Sequence, residues 1–135
     1  MWKDLIVNIC VICDIAEDGH LISHGESFFA AHKMFEEIAD SLHDFPDAIQ
    51  EIYFGARDLN PVPSIEIRKA EVQKLQPVKT TKDAARIIRD VLIEILEQTK
   101  TLDEAEDVTL GEQDLLSKIA GEAQQKLYFV QNFLK

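Results

Sequence analysis

Apolar residues recur every three to four positions along most of this chain, which is the spacing of amphipathic α-helices. The pattern predicts four long helices, over about Lys3–Leu21, about Glu26–Phe54, from Thr80 or Thr81 to about Lys100, and about Thr109–Leu134. The first of them is rich in β-branched residues, but its period and length favour a helix over a strand. A tight turn around Ser23–Gly25 separates the first two helices, because glycine suits a backbone that reverses direction.

The segment from Gly55 to Lys79 is a long connection punctuated by prolines, with one short predicted helix at Ser64–Gln73, capped by Ser64. Pro46 interrupts the second long helix, so we expect either a kink there or a restart with Asp44 as the cap. Four long helices with one long middle connection predict a single all-α domain over residues 1–135. Its architecture would be a ferritin-like four-helix bundle whose crossover carries a short helix.

The charge balance narrows the classes of partner. The 25 acids outweigh the 14 Lys and Arg and give a formal net charge of −11. Such a chain repels nucleic acid phosphates and attracts metal cations, and neither end supplies a basic tail, so DNA binding is not expected. We see no apolar run that could span a bilayer and no signal peptide, and we therefore expect a cytoplasmic protein.

Cys10 and Cys13 have the C-x-x-C spacing of zinc and redox motifs. A zinc ribbon needs a second pair of ligands, and no later cysteine exists. Because the pair lies in an apolar run of the first helix, we interpret both residues as buried thiols, with a redox role as the weaker alternative.

Histidines and carboxylates are the most informative polar residues of the chain. His20 ends the first helix, and the second helix can carry His32, Glu36, Asp47 and Glu51 on one face. Imidazole and carboxylate together favour iron, manganese or zinc over calcium.

The charge and the geometry of this face point to shared metal sites. Residues 34–56 include six acids and no Lys or Arg, whereas a solvated face normally mixes charges, so the face favours a bound cation. Glu36 and Asp47 would lie roughly 16 Å apart along a continuous helix, too far to bind the same ion. Either there are two half-built sites, or a second copy of the helix runs antiparallel and completes each one. Our hypothesis is the second.

Two other interpretations of the polar face compete with shared metal sites. A ferritin-like bundle can hold two metals inside one chain through Glu-x-x-His motifs on two helices, but only Glu17–His20 matches, with Asp40–His43 as a looser copy. No histidine follows His43, so the last helix cannot contribute its share, and this arrangement is disfavoured. The other interpretation is an ordinary solvated face with structural histidines.

The stretch from His20 to Glu36 resembles the signature of the Dps mini-ferritins. A histidine is followed by a glycine, a phenylalanine, a second histidine and an acid at the family's spacing, and an Asp and a Glu one turn apart come later. These places are filled by His20, Gly25, Phe28, His32, Glu36, Asp47 and Glu51. The last helix, from Asp114–Leu–Leu to Leu127–Tyr–Phe–Val, is also similar to that of the family.

This resemblance implies a hollow dodecamer that oxidises Fe²⁺, with hydrogen peroxide or oxygen, and stores ferric oxide in its cavity. Its iron sites would lie at two-fold interfaces, with His20, His32 and Glu36 from one subunit and Asp47 and Glu51 from its neighbour. Acids near the start of the last helix would line a pore for Fe²⁺. Alternatively, these acids form an acidic linker and the first turn of a helix, where negative charge is favoured. These are Asp103, Glu106, Asp107, Glu112 and Asp114.

The sequence departs from the family pattern at several points. Leu21 stands where the family usually has tryptophan, Glu36 stands where aspartate is more common, and Pro46 adjoins Asp47. The lysine-bearing tail that some members use to bind DNA is absent. A second interpretation is therefore a non-catalytic acidic assembly or shell protein whose metal site is vestigial or structural.

Overall fold

Helices form all the regular structure in the computed structural model, which describes residues 1–135. In chain order they are α1 (Trp2–Ile22), α2 (Phe28–Leu42), α3 (Phe45–Ile49), a π-helical turn (Gln50–Gly55), α4 (Ser64–Lys74), α5 (Thr81–Asp103) and α6 (Leu110–Leu134). The second long arm of the bundle consists of α2, α3 and the π-helical turn. α4 lies in the connection between this arm and α5. The predicted all-α four-helix bundle with a crossover helix is confirmed. None of the helices has the length and apolarity that a membrane span requires.

α1 is the central helix of the core. It contacts α2, α3, α4 and α5, and no residue from Leu5 to Ala16 is exposed. Leu5, Ile9 and Ile12 are fully buried there. A helix that is covered all round is apolar all round, which explains the β-branched run of α1 without a strand.

A buried polar network fastens the crossover helix to the bundle. Asn8 of α1 is fully buried, and its side-chain amide donates to Glu94 and Gln98 of α5, with N–O distances of 3.0 Å in both cases. Lys74, at the end of α4, donates to the amide oxygen of Asn8 and, over 3.2 Å, to the Glu94 carboxylate. Because buried polar groups need partners, this network fixes where α4 docks against α1 and α5.

The second predicted helix is broken at the place that its proline indicated. α2 ends at Leu42, and α3 restarts at Phe45 with Pro46 in its first turn, where the missing N–H costs no hydrogen bond. Asp44 occupies the cap position, but its side chain makes no capping hydrogen bond. The helix also starts two residues later than predicted, at Phe28, because Gly25 adopts φ +79° in the left-handed region and ends the turn.

The π-helical turn at Gln50–Gly55 was not predicted. The Gln50 side chain donates to the Val62 carbonyl oxygen over 2.9 Å and accepts from the Val62 N–H over 3.0 Å. This pair ties the start of the crossover to the end of the second arm. A contact between residues twelve positions apart leaves no signal in a local periodicity, so the sequence pattern could not indicate it.

The starts of the later helices are set by threonine caps. Thr80 accepts a hydrogen bond from the N–H of Asp83, and Thr109 forms a reciprocal capping box with Glu112. Both helices therefore begin where predicted, and α5 extends to Asp103, past the predicted end at Lys100. The predicted cap of the short helix was wrong: Pro63 is the residue before α4, and Ser64 is its first helical residue.

Candidate metal centre

Three of the predicted ligands converge within one chain. His20 lies in the last turn of α1, and His32 and Glu36 lie one turn apart on α2. The tight turn at Gly25 folds α2 back along α1, so each of these residues offers a ligand atom within 4.8 Å of the other two. The geometry agrees with the prediction for this half of the site, and the role of these residues as ligands stays a prediction.

The His20 ring is held by His32 in two ways. The two imidazoles are stacked, with ring centroids 3.7 Å apart, and Nδ1 of His20 lies 3.3 Å from the carbonyl oxygen of His32. A carbonyl oxygen only accepts, so this hydrogen bond places the proton of a neutral His20 on Nδ1. The lone pair is then on Nε2, where a metal can bind, and the ring orientation is fixed by the bond on its other side.

His32 carries the one buried side-chain polar atom that has no hydrogen-bond partner, its Nδ1. Phe28 closes another side of the ring, with centroids 4.8 Å apart. A buried polar atom without a partner destabilises the protein by about 1–3 kcal/mol unless a ligand interacts with it. Two imidazoles and a carboxylate are a donor set that fits iron or another first-row transition metal. The residues present therefore fit a metal site.

Asp47 and Glu51 do not join this group within one chain. Asp47 lies in α3 and Glu51 in the π-helical turn, and both are exposed. The chain thus carries a converged half-site of three groups and, on a separate segment, an exposed pair of carboxylates. This agrees with the prediction that no single chain can bring Glu36 and Asp47 to the same ion.

Two exposed apolar side chains adjoin, in the sequence, residues at the half-site. Leu21, which follows His20, is 70% exposed, and Phe29, which follows Phe28, is 80% exposed. Phe28 and Phe29 pack edge to face, with centroids 5.4 Å apart. Large exposed apolar side chains that lie close together are typical of a surface that another protein chain covers.

The cysteines take no part in the converged group. Cys10 and Cys13 are free thiols in α1 that line a small pocket of about 180 Å³ with His43 and Arg68. Burial raises the pKa of both thiols, with a further contribution from Asp14, and the pKa of Cys13 reaches about 12. Both are therefore protonated at neutral pH, which disfavours metal binding and thiol redox chemistry.

The alternative metal sites that the sequence offered, around His43 and Glu17, do not bring their side chains together. His43 is exposed, and its ring lies between the Asp40 carbonyl oxygen, 3.0 Å away, and the Asp44 carboxylate, 3.1 Å away. Glu17 is exposed and is absent from the group around His20. The Glu-x-x-His arrangement inside the bundle has no counterpart in the structure.

Several acids near the start of α6 have cationic partners, and the Arg57 partner is too far away in the sequence for a local pattern to indicate it. Arg57 binds both carboxylate oxygens of Glu112, at 2.7 and 2.8 Å, and the Asp107 carboxylate at 3.0 Å. Asp114 pairs with Lys118 at 3.0 Å. The hydrogen bonds from Arg57 hold the pKa of Glu112 below its usual range, against the effect of burial. These contacts favour a structural role for Asp107, Glu112 and Asp114 over a pore lining.

Comparison with known proteins identifies the fold. No family model matches the sequence, and no curated protein matches it. Among solved structures, the X-ray structure of Dps from Thermosynechococcus elongatus matches with a TM-score of 0.85 and 21% sequence identity, over 99% of this chain and 87% of that chain. The molecule therefore has a ferritin-like fold. The resemblance to Dps that the sequence indicated is therefore confirmed for the fold.

Proposed function

We propose that this protein is an iron-oxidising and iron-storing mini-ferritin, with its reaction sites at the interface between two copies of the chain. The observation that supports this most strongly is the convergence of His20, His32 and Glu36, together with the unpartnered buried nitrogen of His32. The Dps fold supports the same proposal, since it surrounds this half-site with the architecture that the sequence signature implied.

Fe²⁺ is the substrate of the proposed reaction. Each Fe²⁺ gives up one electron, and one hydrogen peroxide takes up two electrons and two protons and forms two waters. Two neutral imidazoles bind the first iron and leave coordination positions open for the oxidant, while the carboxylates stabilise Fe³⁺ over Fe²⁺ through their negative charge. In this proposal Glu36 bridges to a second, weaker ion. Consuming Fe²⁺ and peroxide together withholds both from radical chemistry.

The partner subunit completes each site in this proposal. Two copies related by a two-fold axis exchange the same surfaces, so the Asp47 and Glu51 pair of each copy meets the histidine half-site of the other. Dimers of this kind build a closed dodecamer whose cavity stores ferric oxide, in the cytoplasm. The net charge of −11 favours iron uptake and disfavours DNA binding.

The first prediction concerns the reaction itself. After Fe²⁺ is added in the presence of peroxide or of oxygen, ferric absorbance should rise faster with the protein than in a protein-free control. His32→Ala should reduce this gain in oxidation rate by at least about 10-fold. It removes a proposed ligand whose ring is held by contacts with His20 and Phe28. Comparing peroxide with oxygen identifies the oxidant. Equal rates with and without protein would reject the enzymatic proposal.

The second prediction concerns assembly. Native mass spectrometry of the 15.3 kDa chain should show a closed particle of about twelve copies, roughly 180 kDa. A gel shift at low salt should show no DNA binding by this particle. A monomer at micromolar concentration would contradict the proposal, because a lone chain holds only half of the site.

A non-catalytic shell or assembly protein is the second candidate. The observations that favour it are the exposed Leu21, which follows His20, and the helix break next to Asp47. Under this alternative the particle assembles and binds metal, but the rate of Fe²⁺ oxidation equals that of the control.

A further inference from the structure

α1 and α2 contact each other at a glycine. A Cβ atom on Gly19 would lie 2.8 Å from two ring atoms of Phe35, closer than the 3.0 Å that real Cβ atoms keep. The Phe35 ring is fully buried and packs edge to face on Phe133 of α6, with centroids 6.2 Å apart, so moving the ring aside would disturb the core. At this position the packing therefore requires glycine, although its backbone conformation is not left-handed.

The two residues of this contact adjoin the residues of the half-site. His20 follows Gly19 on α1, and Glu36 follows Phe35 on α2. His32 lies three residues before Phe35, almost one helical turn away on the same side. The spacing between the helices at Gly19 and Phe35 is thus also the spacing at which His20 meets His32.

We propose that Gly19 and Phe35 are a positioning pair that sets the distance between α1 and α2 and so holds His20 against His32 and Glu36. This inference rests on the proposed metal site. The distance between packed helices depends on the side chains at their contact. A methyl group on Gly19 would have to open this contact by at least about 0.6 Å, the difference between 2.8 Å and the 3.4 Å of ordinary contact. Metal–ligand bond lengths in proteins keep within about 0.2 Å of their usual values, so an opening of this size beside the ligands is expected to weaken binding.

The structure offers a matched control. Gly121 is also a helical glycine, in α6, but a Cβ atom there would meet nothing within 4 Å. Gly19→Ala and Gly121→Ala therefore make the same chemical change, with and without a collision. The full chain in its native assembly is titrated with Co²⁺, which binds similar ligands and is stable to air. Binding is followed by calorimetry and by the visible absorbance of Co²⁺, and thermal unfolding is recorded separately.

Gly19→Ala is expected to weaken Co²⁺ binding by about 10- to 100-fold, as displacement of a residue that orients a ligand does. Gly121→Ala should bind like the wild type. The double variant Gly19→Ala/Phe35→Leu should recover most of the affinity, because a leucine lacks the outer ring atoms that collide with the added methyl. A purely structural role would lower the unfolding temperature of Gly19→Ala without changing its affinity or its Co²⁺ spectrum.

The outcomes separate this inference from the proposed function. Wild-type Co²⁺ affinity in folded Gly19→Ala would overturn the positioning role and leave the metal site standing. Absence of Co²⁺ binding by the wild type would reject the metal site. The positioning role is then still tested by NMR on the metal-free protein, where the Nδ1–H signal of His20 should shift in Gly19→Ala and not in Gly121→Ala. Should Gly19→Ala fail to fold, Phe35→Leu alone, which leaves space beneath Gly19, is expected to bind Co²⁺ several-fold more weakly, and unchanged binding would overturn the role.

Discussion

Co-assembly of two inactive variants is expected to restore about a quarter of the wild-type rate of Fe²⁺ oxidation. His32→Ala damages the histidine half-site, and Asp47→Ala damages the carboxylate pair. In a dimer of one His32→Ala chain and one Asp47→Ala chain, both defects fall on one site, and the other site is intact. Random pairing makes half of the dimers mixed, and each mixed dimer has one functional site out of two.

This experiment distinguishes a shared site from a site within one chain. The two variants are unfolded together and refolded as a mixture, and their rates are compared with those of each variant refolded alone. If all ligands came from the same chain, mixing would restore nothing. The matched control is a mixture of His32→Ala with Glu36→Ala. Both changes damage the same half-site, so this mixture should stay inactive under the shared arrangement as well.

Glu112→Gln is expected to lower the free energy of unfolding at pH 7 by about 1.5–3 kcal/mol, the contribution of hydrogen bonds to a charged group. The Glu112 side chain is only 2% exposed, and Arg57 binds both of its oxygens. Glutamine keeps the shape of the side chain and can still serve in the capping box of α6. The difference between the variant and the wild type therefore reports the charge of Glu112. Urea unfolding monitored by circular dichroism measures it.

The same substitution makes a prediction about pH. The pKa of Glu112 is lowered in the folded protein, mainly by the hydrogen bonds from Arg57. Its contribution to stability is therefore fully present above the pKa of an unfolded glutamate, about 4.3, and is lost as the pH falls through the lower pKa of the folded state. The difference in stability between Glu112→Gln and the wild type should be constant from pH 6 to 7 and disappear in stronger acid.

Asp114→Asn is the matched control for this series. Asp114 lies on the same helix and pairs with Lys118, but its side chain is 67% exposed. Exposed ion pairs contribute about 0–1 kcal/mol, so this variant should unfold close to the wild type at every pH. A stability gap for Glu112→Gln that persists unchanged in acid would contradict the assignment to its charge.

Local patterns predicted the helices because each depends on neighbours in the sequence. The periodicity gave α1, α5 and α6, and Thr80 and Thr109 marked two starts through hydrogen bonds that span three residues. The proline at position 46 indicated the break in the second arm, since it lacks the N–H that a helix interior needs. The grouping of His20, His32 and Glu36 did not follow from these local patterns; only the resemblance to the Dps signature implied it.

These local patterns could not predict contacts between residues that lie far apart in the sequence. The π-helical turn accompanies a pairing of Gln50 with Val62, and the Arg57–Glu112 pair joins positions 55 residues apart. The collision that makes Gly19 necessary depends on where the Phe35 ring lies once α2 has folded back. Nothing in the sequence around Gly19 indicates that contact.

The sequence by itself determined the helical architecture, the acidic charge and the set of histidines and carboxylates, because these follow from local spacing and composition. Only the tertiary structure decided which of those groups meet in one chain. His20, His32 and Glu36 converge, whereas Asp47 and Glu51 remain apart and exposed. The physical reason is that a ligand set is defined by distances of a few ångströms between side chains, and these distances are fixed by helix packing and by the break that Pro46 introduces.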